Sequence, residues 1–153
     1  MFLIKKSFSC LLLSILHFFL GISAILGGAS LIISPNGQLL NMHLPMLENS
    51  SFNSFLIPGF ILFFVIGVLP LVTSFYLFSE KQIKIGSKIK LYKHLHLAWN
   101  FSLYNGFILI IWITIEIYMI QAIEFIQVFY IILGLIIQFM TLLPAVKNQY
   151  TIQ

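Results

Sequence analysis

Two ionisable residues stand where charge is expensive. His17 lies inside LLLSILHFFLGISAILGG and Glu116 inside IIWITIEIYMI. An ionisable side chain in such a run is a functional-site hypothesis by default. A histidine there can pass protons or bind a metal or haem, whereas its plain reading is a neutral imidazole hydrogen-bonded across helices to Asn105 or Gln138. Haem needs a second axial ligand, and His94 and His96 stand in or beside a basic stretch, too shallow to pair with His17. Glu116 reads either as the acid of a proton or cation path or as a carboxylate that reaches the interface or bonds to Gln127. Glu124, at the start of the next apolar run, suits the positive end of a helix and reads as a cap. Glu116 and Glu124 match no metal-ligand spacing, and His43 and Glu48 add only scattered donors. No nucleophile elbow, phosphate loop, zinc helix or nucleotide fingerprint is present. The expectation is therefore a chain with no catalytic residues, metal or cofactor, and with His17, Asn105, Gln138, Glu116 and Gln127 as ligand or polar-layer candidates.

The elements that must position these residues follow from composition. Of 153 residues, 60% are hydrophobic and only 8% charged, and the mean hydropathy is +1.05. A soluble domain carries about 25% charged residues, so this chain has too little polar surface to cover itself in water. Apolar runs over 11–33, 55–78, 99–120 and 123–143 are each long enough for a helix that crosses a bilayer core of about 30 Å. The first run is too long for the roughly 7–15-residue core of a cleaved signal and reads as a retained helix. The fold class expected is an all-α integral membrane four-helix bundle, up-down-up-down, in a single domain of residues 1–153. Ser34-Pro35-Asn36-Gly37 marks a turn, and Gly67 with Pro70 predicts a bend in the second helix. Only Gln121 and Ala122 separate the third and fourth runs, and Pro144 with Lys147 closes the last.

Charge sets the orientation. Five of the eight lysines fall in the connector 79–97, the other three are Lys5, Lys6 and Lys147, and there is no Arg or Asp. If four helices alternate, every lysine falls on one side, which the positive-inside rule makes cytoplasmic. Lysines beside apolar spans meet anionic lipid, so the net charge of +4 is no nucleic-acid footprint. The single cysteine, Cys10, excludes an intrachain disulfide.

Helical periodicity then selects inward faces. His17, Gly21, Ala24 and Gly28 share an arc of the first helix, and Asn105, Trp112 and Glu116 share one on the third. Gln127, Gly134, Gln138 and Thr141 do so on the fourth, while the second offers Gly67, Thr73 and Ser74. At 1.5 Å per residue His17, Asn105, Gln138 and Thr73/Ser74 fall at about one depth in the inner half of the bilayer, with Ser30, Glu116 and Gln127 in an outer layer. Trp99 and Tyr118, near the two ends of helix three, read as interfacial aromatics.

Gly27-Gly28, Ser34-Pro35-Asn36-Gly37, Pro58-Gly59-Phe60 and the Trp112-Ile113 region resemble an uncharacterised group of small bacterial four-helix membrane proteins. The resemblance implies the fold and a bacterial plasma membrane, and it carries no activity. The function expected is a non-enzymatic accessory or interaction subunit, with the lipid bilayer, a membrane protein or a second copy as partner. The alternative is a small carrier or binding protein for a lipophilic molecule or proton, with an intramembrane polar site.

Overall fold

The computed structural model describes residues 7–81 and 90–152. Lys5, Lys6, Lys84 and Lys88 lie outside the described residues. Four helices are long and apolar enough to cross a membrane: α1, Phe8–Ile33; α2, Leu56–Ser79; α3, Leu97–Ile120; and α4, Phe125–Leu142. A short helix, α5, follows at Pro144–Gln149. Large apolar side chains cover the outside of the bundle, among them Phe18, Phe64, Phe75, Phe125 and Phe139. That exterior suits lipid, which hydrates no polar group but solvates hydrocarbon freely.

Glycine sets how closely the helices pair. On α1, a Cβ added at Gly28 would stand 2.5 Å from the backbone nitrogen of Phe63 and 2.8 Å from the Gly59 carbonyl oxygen, both on α2. Gly21 meets Leu71 and the Gly67 carbonyl in the same way, and on α3 Gly106 sits against Gly134 and Gln138 of α4. Small residues let helix backbones approach where lipid gives no hydrophobic drive to association. The glycines of α1 to α4 all meet neighbours of this same chain.

Near Gly67 and Pro70, where a bend was expected, α2 contains a π-helical stretch, Ile61–Val68, at whose end the Leu69 N–H donates to the Phe64 carbonyl five residues back. Pro70 has no N–H to give the preceding turn, and a wider turn re-registers the ladder just before it. This stretch touches α3 only sparsely, whereas the last part of α2, Leu69–Ser79, packs well against it. The α1–α2 and α3–α4 pairs therefore lie together near the connector end and diverge toward the other.

The loop between α1 and α2 turns at Gly37, whose φ of 82° and contact with Met42 exclude a side chain. It then folds back through 3₁₀ turns at Gln38–Leu40 and Leu44–Leu47. Leu47 and Phe55 pack there against Leu31 and Met119, so this loop closes the diverging end. The turn between α3 and α4 runs two residues further than the apolar pattern predicts. Gln121 takes the left-handed conformation and Glu124, extended, caps α4 in a capping box with Gln127. Such a box satisfies backbone donors that α4 leaves open.

The connector end is clasped by a segment that the sequence pattern does not reveal. Leu143 is extended, as a residue before proline tends to be, and Pro144 opens α5. Beyond it Tyr150 is fully buried, its hydroxyl donating to the Leu77 carbonyl at 2.6 Å. Backbone bonds from His96 to Tyr150 and from Ile152 to His94 tie the chain end to the start of α3. Gln149 accepts from Ser7 and donates to Glu80, joining α1, α2 and α5. Asn100 accepts the Tyr92 N–H at 2.9 Å and donates to the carbonyls of Tyr92 and His96.

His96 gives this clasp a pH dependence. Burial, then the charge of Lys90, holds its pKa below the ordinary histidine value, and Glu80 opposes them. A depressed histidine pKa means that the unfolded chain binds the proton more tightly, so stability is lost as pH falls through the ordinary value near 6.5 toward the folded one. Between pH 7 and pH 5, the protection of the His96 and Ile152 amides, corrected for the pH dependence of intrinsic exchange, is expected to fall. His96→Gln should flatten that response, and an unchanged pH response in this variant would show that another group controls the clasp.

Candidate functional site

The four inward arcs of the sequence are the buried faces of the helices. His17 is 0% exposed, Asn105 2% and Gln127 3%. Gln138 is half-buried beside Gly106, and Glu116 is half-buried on the same side of α3 as Trp112.

The inner polar layer forms by a different set of bonds from the one expected. His17 Nδ1 lies 3.0 Å from the Leu13 carbonyl of its own helix. A carbonyl only accepts, so Nδ1 carries the proton, and the Nε2 of a neutral ring is left as an acceptor. Nε2 has no hydrogen-bond partner among the described residues, nor have Asn105 Oδ1 and Gln138 Nε2. His17, Asn105 and Gln138 thus make no bond to one another. Asn105 Nδ2 donates instead to Thr73 Oγ1 at 3.0 Å, and Thr73 donates to Leu69. Ser74 donates to the Ser14 carbonyl at 2.7 Å, and Ser102 and Thr141 share a 2.6 Å bond between α3 and α4. The Ser74 hydroxyl joins α2 to α1 through the main-chain carbonyl of Ser14, whose own hydroxyl donates to Cys10, and the Ser102 and Thr141 hydroxyls join α3 to α4. Thr141 was expected on the inward arc of α4; Ser14 and Ser102 were not among the expected inward residues.

Trp99 departs furthest from expectation. It is fully buried, not interfacial, and its Nε1 donates to the Thr141 carbonyl at 2.8 Å. The clasp over the connector end covers it: Tyr92 stacks edge-on against its ring at 5.2 Å. Tyr118, at the other end of α3, is 69% exposed.

Toward the diverging end the helices enclose a cavity of about 440 Å³. Its walls are Leu20, Ala24 and Leu31 of α1, Pro58, Leu62 and Ile66 of α2, and Leu109, Trp112, Ile113 and Met119 of α3. Gln127 and Tyr130 of α4 close the fourth side, and Met42, Met46 and Phe55 come from the covering loop. The cavity exists because α2 and α3 part company along the π-helical stretch, so the loop residues and Met119 carry no sequence signal that would mark them as a lining.

Two members of the outer polar layer meet here. Gln127 Oε1 accepts the Glu124 N–H at 2.8 Å, which turns the amide nitrogen toward Glu116 Oε1 at 3.4 Å. Ser30, the third, bonds back to Leu26 and does not join. Glu116 thus presents a carboxylate to an apolar cavity, held by one long bond from a neutral amide. One turn before it on α3, Trp112 is 8% exposed and its Nε1 has no partner among the described residues. A few convergent polar groups in a mostly apolar concavity are the usual composition of a small-molecule site.

The fold and site together define an all-helical bundle of four helices able to span a membrane, built around an apolar cavity with a carboxylate in its wall. No family model matches the chain, and no curated protein or solved structure matches it.

Proposed function

We propose that this chain is a small binding or carrier protein of a bacterial plasma membrane, which holds a lipophilic molecule between its helices. The cavity of about 440 Å³ with Glu116 in its wall carries the reading. A mostly apolar concavity with a few convergent polar groups has the composition of a small-molecule site, which packing against a partner does not require. The glycines of α1 to α4 also pack within the chain, leaving Phe, Leu and Ile outside. That is a surface for lipid more than for close docking of another helix.

The orientation proposed has both termini cytoplasmic and the helices running up-down-up-down. In its support, Lys147 lies over the Tyr92 ring and Lys90 acts on His96, so described lysines gather at the end clasped by α5. The positive-inside rule places that end in the cytoplasm and the cavity in the outer half of the bilayer.

The test is native mass spectrometry of the detergent-extracted protein. A lipophilic molecule is expected to remain on the wild type. Leu109, 1% exposed at the cavity wall, is the place to fill the space. Leu109→Trp should reduce the retained molecule to background while leaving the thermal midpoint within a few degrees. A wild type that retains nothing, or a variant that retains as much as wild type, would overturn the reading.

A further inference from the structure

We infer that the cavity takes an amphiphilic monovalent cation, a hydrophobic ammonium or phosphonium, with its charge at Glu116. The inference rests on the binding reading above and names the ligand class for the same cavity.

Among the described residues the lining contains two charged ones, Glu116 and Glu124, and no lysine or histidine. They are not equivalent. The Glu124 side chain accepts the Gln127 backbone N–H at the start of α4, where the helix dipole also favours a negative charge. Among the described residues Glu116 has only the 3.4 Å contact from the Gln127 side chain. A carboxylate in apolar surroundings is costly unless it is paired or takes up a proton, and a positively charged occupant would supply the pairing. An anionic head group would meet two carboxylates without a counter-charge, so fatty acids and phosphate-bearing lipids are excluded as the preferred ligand.

The remainder of the wall suits a soft, bulky cation. Trp112, Tyr130 and Phe55 offer aromatic rings, and indole is the best of these partners for a cation. Trp112 also brings a buried N–H with no partner among the described residues. It lies about 6 Å along the helix from Glu116, at 1.5 Å per residue. An occupant with a positive centre and an acceptor or aromatic face that far away meets both groups. Met42, Met46 and Met119 supply flexible, polarisable side chains, which adapt to irregular ligands.

The test uses a pair of ions of one shape and opposite charge, tetraphenylphosphonium and tetraphenylborate. Equilibrium dialysis against protein in an uncharged detergent, corrected for empty micelles, gives both affinities. Wild type is expected to bind the phosphonium at least about tenfold more tightly than the borate, a ratio equivalent to 1.4 kcal/mol. Glu116→Gln, which keeps an amide-sized group beside Gln127, should erase that preference, and Glu116→Asp should retain part of it. If both ions bind wild type equally, or if Glu116→Gln keeps the preference, the cation inference is wrong while the cavity still binds. If neither ion binds beyond the micelle background, the cation inference falls, and the molecule retained in native mass spectrometry decides the binding reading.

Discussion

Gly28→Val is expected to lower the thermal midpoint of the detergent-solubilised protein by about 6–12 °C, corresponding to about 3 kcal/mol. The reason is that every near neighbour is main chain. A Cβ at residue 28 would lie 2.5 Å from Phe63 N, 2.8 Å from Phe63 Cα and 2.8 Å from the Gly59 carbonyl oxygen. None of these atoms can rotate away, so α1 and α2 must separate along this contact. The control is the adjacent residue. At Gly27 the added carbon meets only the Leu62 Cδ2 atom, at 3.2 Å, and a side-chain end can turn aside. Gly27→Ala should leave the midpoint unchanged or raise it, because alanine is the better helix former by about 1 kcal/mol. Equal behaviour of the two variants would mean that α1 and α2 do not touch as described.

Trp99→Ala is expected to cost about 3–5 kcal/mol, the range for removing a large buried aromatic. Trp99 joins three parts of the connector end: α3, which carries it; α4, through the Thr141 carbonyl; and the connector, through Tyr92. Its loss leaves a void that side chains in a glycine-tight bundle fill poorly. Trp99→Phe keeps most of the volume but leaves the Thr141 carbonyl without the indole, and should cost about 1 kcal/mol plus a smaller packing term. The measurements are thermal midpoints together with amide exchange over Tyr92 to Asn100. Tyr118→Ala, at the exposed end of the same helix, should change stability by no more than about 0.5 kcal/mol. If Trp99→Ala behaved like Tyr118→Ala, the tryptophan would belong to the interface after all.

The two ends of the bundle are thus built for different purposes. At the connector end, short hydroxyls, Asn100, Trp99 and the Tyr150 clasp leave little space and fix the helices to one another. At the other end α2 widens, α2 and α3 diverge, and a loop covers the gap. A rigid base under an open upper half is what a site needs if its walls are to keep their spacing while the interior is filled and emptied.

The sequence alone determined the solvent and the rods. Charged residues are too few for a water-facing surface, and hydrophobic runs of bilayer length leave no other reading than helices. Its periodicity also determined which sides of those helices turn inward: His17, Gly21, Ala24 and Gly28 are buried together because a 3.6-residue repeat is a local property of the chain. Glycine positions announced close contacts for the same reason. What only the tertiary structure decided is who meets whom. Within the expected inner layer Asn105 bonds Thr73 and not His17; Trp99 was expected at an interface and lies buried beneath Tyr92. Such pairings depend on the rotation and tilt of one helix against another, which residues far apart in sequence set jointly. The cavity is the extreme case, since it is defined by where side chains do not reach, and no run of residues records an absence of contact.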